Sequence, residues 1–195
     1  MKFLLALDFD HTIIDEDSDN AVLSLNPSLL EQAKTRSKGI VWCDLMNELV
    51  QVLQIEHTPA QITERLAEVP IETQMYTSLE YAYEAGTEII IISDSNTFYI
   101  DQIMEKKDFK RFIRRVITNN GVIGENGKLS ITRHTLDNDC VNLCSKNLCK
   151  GLFGLIQDRS YGSMLRNTGR MIALFMLGMA AMTTVQECNF VRAMY

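Results

Sequence analysis

The sequence predicts an α/β fold: a mostly parallel sheet with a block of helices inserted after its first strand. Three observations carry this reading. A short apolar run, Leu5-Ala6-Leu7, ends in Asp8-Phe9-Asp10-His11-Thr12. A second run, Thr87-Glu88-Ile89-Ile90-Ile91-Ile92, is β-branched and apolar on both faces, the pattern of a central parallel strand. Between the two, apolar residues recur at helical rather than alternating spacing.

Strand one is read over Lys2 to Phe9. A polar stretch, Asp15 to Asn20, leaves it, and helical patterns follow instead of a second strand, so something is inserted there. Leu29, Leu30 and Ala33 start one pattern; Val41, Leu45, Leu49, Val50 and Leu53 line one face of another. Thr58-Pro59 opens a third, with Thr58 as N-cap and Pro59 in the first helical position. Thr73 to Tyr83 continues in the same style and stops at Gly86. The second strand then ends in Ser93-Asp94-Ser95-Asn96, Phe98 to Lys106 reads as a helix, and Arg115 to Thr118 as a third strand. A hairpin is expected from Val122-Ile123 and Lys128-Leu129-Ser130-Ile131 around Asn126-Gly127, a strong turn dipeptide. Active-site groups of open α/β sheets gather at the carboxyl ends of the strands, where both Asp8-x-Asp10 and Ser93 fall.

With 195 residues the chain has room for one core and a small appended module. A net charge of −6 argues against a general nucleic-acid binder, while a small phosphorylated molecule can be met by one metal ion and one or two cations. Met1 to Leu7 holds too few apolar residues before Asp8 for a secretory segment, so a cytoplasmic protein is expected. Five cysteines, an odd number, fit reduced thiols there. Met171 to Val185 is apolar but short of the ~20 residues that a membrane-spanning helix needs.

The chemistry is concentrated in Asp8-x-Asp10-x-Thr12. Strand alternation would send these three side chains to one side, with two carboxylates and a hydroxyl converging. A repelling carboxylate pair at an apolar strand tip has no structural use, whereas a metal-assisted attack on phosphorus needs both. Ser93 alone would read as an ordinary strand-end turn, Asp19 alone as part of a solvated acidic loop, and Lys150 alone as a surface charge. Cys140, Cys144 and Cys149, with His134 nearby, lack the paired spacing of a zinc knuckle and read as thiols.

Taken together, Leu7-Asp8-Phe9-Asp10-His11-Thr12-Ile13-Ile14-Asp15, Ile91-Ile92-Ser93-Asp94-Ser95-Asn96 and Cys140-x-x-x-Cys144-x-x-Asn147-Leu148-Cys149-Lys150-Gly151 resemble the haloacid dehalogenase superfamily of phosphatases. More narrowly, they resemble the branch that contains phosphoethanolamine/phosphocholine phosphatase and pyridoxal phosphate phosphatase. The resemblance implies a Rossmann-like parallel sheet with a helical cap. Residues 1–17 and 87–158 would form the core and 18–86 the cap. It implies Asp8 as a nucleophile that becomes an aspartyl-phosphate, and Asp10 as general acid and then base. Mg2+ would be held by the Asp8 carboxylate and the Asp10 backbone carbonyl. Ser93 and Lys150 would bind the phosphoryl group. Asp19 and Asp94 would face the substrate, where an ethanolamine or choline cation could sit. The substrate would be a small phosphorylated metabolite. A phosphoserine phosphatase-like enzyme, with an Arg in the cap pocket for a substrate carboxylate, and a catalytically silent phosphate binder or impaired truncated product are the rival readings.

The pattern breaks after Gly151. The superfamily's fourth motif, Gly-Asp-Gly-x-Asn-Asp, is missing; Glu187 is the only carboxylate side chain after Asp158, and six of the ten methionines lie from Met164 onward. Residues 159–195 therefore read as an aberrant tail, frame-shifted or alternatively spliced. The genetic code allows a test. If each codon starts at the third base of the preceding residue, Met179-Ala180 forces Gly and Met182-Thr183 forces Asp. With permitted synonymous choices, Leu177 to Gln186 then reads Gly-Asp-Gly-Arg-Asn-Asp-Tyr-Cys-Pro.

Overall fold

A computed structural model describes residues 3–37 and 40–134. Strands β1 (Leu4–Leu7), β2 (Glu88–Asn96) and β3 (Ile113–Ile123) run parallel in that order, and β4 (Leu129–Thr132) closes the sheet antiparallel to β3. The α/β sheet with its inserted helices is the fold class read from the sequence. Between β1 and β2 lie five helices: α1 (Ser18–Leu23), α2 (Pro27–Arg36), α3 (Trp42–Leu53), α4 (Pro59–Glu68) and α5 (Thr73–Glu84). Helix α6 (Thr97–Lys106) follows β2 directly.

Alternation along the parallel strands builds two clusters. Leu7, Ile89 and Ile91 face the helices and join a buried core with Leu45, Leu49, Leu66, Ile100 and Phe109. Leu4, Ala6, Ile90, Ile92 and Ile117 form a smaller cluster on the opposite face. A strand buried on both faces needs a continuous apolar run, which explains why β2 was plain in the sequence. Helix α4 starts with a full capping box, Thr58 with Gln61, a device that stabilises a helix start by about 1 kcal/mol.

Several boundaries differ from the sequence expectation. Strand β1 ends at Leu7, so strand alternation does not place Asp8 and Asp10. A turn does so instead: Thr12, Ile13 and Ile14 donate their backbone N–H groups to the Phe9 carbonyl, and His11 takes φ +52°. Helix α1 begins inside what reads as a polar stretch, at Ser18, and runs on to Leu23. Its six residues are too few to show a period, but its N-cap is conventional, since Asp17 accepts from the Asn20 amide at 2.7 Å. The hairpin forms with a longer loop than a two-residue turn: Gly124 N–H donates to the Lys128 carbonyl, and Gly127 takes φ +71°.

The inserted helices are fastened to the sheet by polar as well as apolar contacts. Side-chain amides on α3 satisfy the outer edge of β4: Gln54 accepts from Leu129 N–H at 2.6 Å, Gln51 donates to the Leu129 carbonyl at 2.7 Å, and Asn47 accepts from Ile131 N–H at 2.9 Å. Asp44 pairs with Arg133 beside them. An edge strand paired this way offers no template to another chain.

Candidate active site

Parallel pairing of β1 with β2, Leu7 opposite Ile91, brings Asp8 and Ser93 to the same end of neighbouring strands. Asp8 is 9% exposed, and one of its oxygens accepts from the Phe9 amide at 2.8 Å. Asp10 follows in the turn, where the Ser18 amide, at the start of α1, donates to its Oδ1 at 2.8 Å. The first inserted helix therefore begins by holding the second carboxylate of the motif. The Ser18 and Ser95 hydroxyls meet at 2.8 Å in the interior, tying α1 to the end of β2. The Thr12 hydroxyl is buried and has no hydrogen-bond partner among the described residues.

Ser93 is buried, and its hydroxyl accepts from the Ser95 amide at 3.2 Å. The backbone of Asp94 is steadied by Asn119 on β3, which donates to the Asp94 carbonyl at 2.7 Å and accepts from His134 N–H at 3.0 Å. Asn96 caps α6 by accepting from Tyr99 N–H. It leaves room only for a glycine at position 121, where a Cβ would come within 2.4 Å of its Oδ1. Neither Asn119 nor Gly121 stood out in the sequence. Their roles depend on strand register, and the one available hint was the polar ending of β3 itself.

Asp19 is not a solvated loop residue. It sits on α1 only 5% exposed and accepts from the Trp42 indole N–H on α3 at 2.7 Å. Burial holds its carboxyl well above the usual range, and Asp17, Asp10 and, after the opposing Trp42 hydrogen bond, Asp94 add to the effect. The charged groups that act most strongly on Asp19 among the described residues, Asp17, Asp10 and Asp94, are acidic. Arg65, on α4, is committed to Glu16 and the Ser24 hydroxyl. Lys150 and the cysteines of the third motif lie outside the described residues, as does the tail from residue 159.

Burial, and after it the charge of Asp17, pushes the Asp10 carboxyl up to about 7; hydrogen bonds from Ser18 work against this, and Asp8 adds to it. This has a consequence for stability. Folding raises that carboxyl from its ordinary value of 3.8 to about 7, so over this interval the folded chain holds a proton that the unfolded chain has released. The contribution is full below pH about 4, declines between about 4 and 7, and is lost above that, a range on the order of 4 kcal/mol at most. Asp19 acts in the same direction. In EDTA, Asp10→Asn should therefore melt higher than the unchanged chain at pH 7.5, with the gap closing towards pH 4.5. Thermal melts across that range, showing equal pH slopes for the two, would refute the account.

Comparison with known proteins identifies the family. The family model described as Putative Phosphatase matches residues 3–188, a stretch that runs past Gly151, where the recognisable motifs end. Inorganic pyrophosphatase 2 of Arabidopsis thaliana is 32% identical over 180 residues, 89% of this chain and 63% of that protein. Pyridoxal phosphate phosphatase of Homo sapiens is 32% identical over 158 residues, 77% of this chain and 64% of that protein. The chain thus spans a little under two thirds of the length of these relatives. In fold it is similar to a solved substrate-bound phosphoserine phosphatase complex, with a TM-score of 0.61 at 12% identity, covering 97% of this chain and 84% of that one. The chain belongs to the Putative Phosphatase family and is related to pyridoxal phosphate phosphatase and to phosphoethanolamine/phosphocholine phosphatase of Homo sapiens.

Proposed function

We propose that the chain is built to hydrolyse a small phosphomonoester whose alcohol carries a positive charge, phosphoethanolamine, phosphocholine or pyridoxal phosphate being the class. Residues 1–17 and 87–158 serve as the catalytic core, and 18–86 as the cap. The observation that carries the reading is the pair of carboxyls that follows β1. Asp8 stands next to Asp10, whose carboxyl is raised to about 7. A carboxyl raised to about 7 beside a second carboxyl can carry a proton to and from the reacting atoms while its neighbour serves as nucleophile.

In the first step an Asp8 oxygen attacks phosphorus and the ester P–O bond breaks, while Asp10 gives its proton to the departing alkoxide. In the second, water attacks the aspartyl-phosphate and yields its proton to Asp10, phosphate departs, and both side chains return to their starting state. Ser93, within the last four residues of β2, would donate to a phosphoryl oxygen, and Lys150 would add a cation there. The hard oxygen donors of Asp8 and Asp10 suit Mg2+ in kind and fall short in number: among the described residues no group of three or more His, Cys, Asp or Glu could hold a metal. The Asp8 carboxylate and the Asp10 backbone carbonyl would hold the ion, which would offset repulsion between the nucleophile and the phosphate.

The acidic surroundings of Asp19 support the charge on the substrate. A leaving group with an ammonium or pyridinium is attracted there, whereas a substrate carboxylate, as in phosphoserine, finds no available Arg among the described residues around Asp19. The test is a phosphate-release panel. Phosphoethanolamine and phosphocholine should exceed neutral glycerol 2-phosphate in kcat/KM by about ten- to a hundredfold, and Asp19→Asn should remove most of that margin. Equal losses on charged and neutral esters would show that Asp19 does not touch the head group.

A further inference from the structure

The Asp19 carboxyl lies where the inserted helices meet the sheet. Asp19 and its donor Trp42 come from the insertion; Asp94 and Tyr99 come from β2 and α6. The carboxyl is buried and accepts from the Trp42 indole N–H at 2.7 Å, and the nearby charges of Asp17, Asp10 and Asp94 work against its ionisation. A folded interior seldom leaves a carboxylate so poorly matched.

Tyr99 supplies an independent sign of a ligand. Its side chain is 0% exposed, and its hydroxyl has no hydrogen-bond partner among the described residues. It is near enough to Asp19 for that charge, after burial, to push the phenol well up. Buried tyrosine hydroxyls ordinarily find a partner. Among the described residues the Asp19 carboxyl has no ion pair and the Tyr99 hydroxyl no hydrogen-bond partner, and the two are close enough for the Asp19 charge to act on the phenol.

We propose that Trp42 is a positioning residue for head-group selectivity, and that Tyr99 is the head group's second polar contact. The indole N–H fixes Oδ2 of Asp19 and leaves Oδ1 to meet the cationic end of the substrate. The Tyr99 hydroxyl takes its missing hydrogen bond from an ammonium, or lies against a quaternary one. This inference rests on the phosphatase reading above and adds to it residues that select the leaving group without touching the phosphate.

Trp42 is the only tryptophan of the chain, so its emission reports on this place without any turnover. The full chain is titrated with phosphocholine, phosphoethanolamine, choline and inorganic phosphate, by fluorescence and by calorimetry. Phosphocholine and choline should shift the emission saturably, and inorganic phosphate should not. In calorimetry, Trp42→Phe should weaken phosphocholine about tenfold and inorganic phosphate less than twofold; Tyr99→Phe should weaken phosphoethanolamine, whose ammonium can donate to the hydroxyl, about threefold or more. Should Trp42→Phe fail to fold, replacing Trp42 with benzothienylalanine exchanges only the indole N–H for sulfur and should give the same tenfold loss. Loss of phosphocholine and inorganic phosphate to the same extent, or of neither, overturns the proposal while leaving the phosphatase reading intact. If inorganic phosphate does not bind the unchanged chain and no phosphomonoester is hydrolysed, the phosphatase reading fails and the inference fails with it.

Discussion

Asp8→Asn is expected to reduce phosphomonoester hydrolysis by at least about a thousandfold, because an amide oxygen at that position cannot form the covalent intermediate. The change is nearly isosteric, and its Oδ1 can still accept from the Phe9 amide, so the turn after β1 should survive. Acid quenching with radiolabelled substrate separates the steps. The unchanged chain should carry acid-stable label and Asp8→Asn none. Asp10→Asn should accumulate label from p-nitrophenyl phosphate, whose leaving group needs no proton, because only the hydrolytic step then lacks its base. Label retained on the Asp8→Asn chain would place the nucleophile elsewhere.

That prediction follows from the sequence alone; other parts of the site do not. The strand tips were legible because an apolar run that stops at a pair of aspartates conflicts with every structural use of such residues, and β2 was legible because burial on both faces leaves an unbroken run of isoleucines. The means by which Asp10 is held was not legible. It depends on the Ser18 amide, a backbone group whose position follows from a helix of six residues. Asp19 illustrates the same limit from the other side. Among Asp15, Glu16 and Asp17 it carries the composition of a solvated loop, and only the packing of α1 against α3 buries it and gives it the Trp42 donor. Local pattern reveals groups that are costly where they stand; it does not reveal which distant residue relieves that cost. Asn119 and Gly121 were invisible for the same reason, since each acts across the sheet on the end of β2.

The second large effect concerns the carboxylates that the sequence as written lacks. With Asp8 and Asp10 as the only donors from the first motif, Mg2+ would be left mostly to water, so weak binding and slow turnover are expected of this chain. Moving the reading frame upstream of Gly162 should install Gly-Asp-Gly-Arg-Asn-Asp in place of Leu177 to Thr183, and with it the further oxygen ligands that a hard cation demands. A metal that neutralises charge in the transition state is worth several kcal/mol, so the reframed chain should gain at least about a hundredfold in Mg2+-dependent kcat/KM, and the gain should vanish in EDTA. The same change removes the apolar run Met171 to Val185 and should lessen aggregation, as light scattering on heating would record. The coding sequence decides the matter before any assay. Codon third bases of G at Gly178 and A at Ala181 yield the required Asp and Asn; other bases there exclude the slip, and the tail then has a different origin, such as alternative splicing.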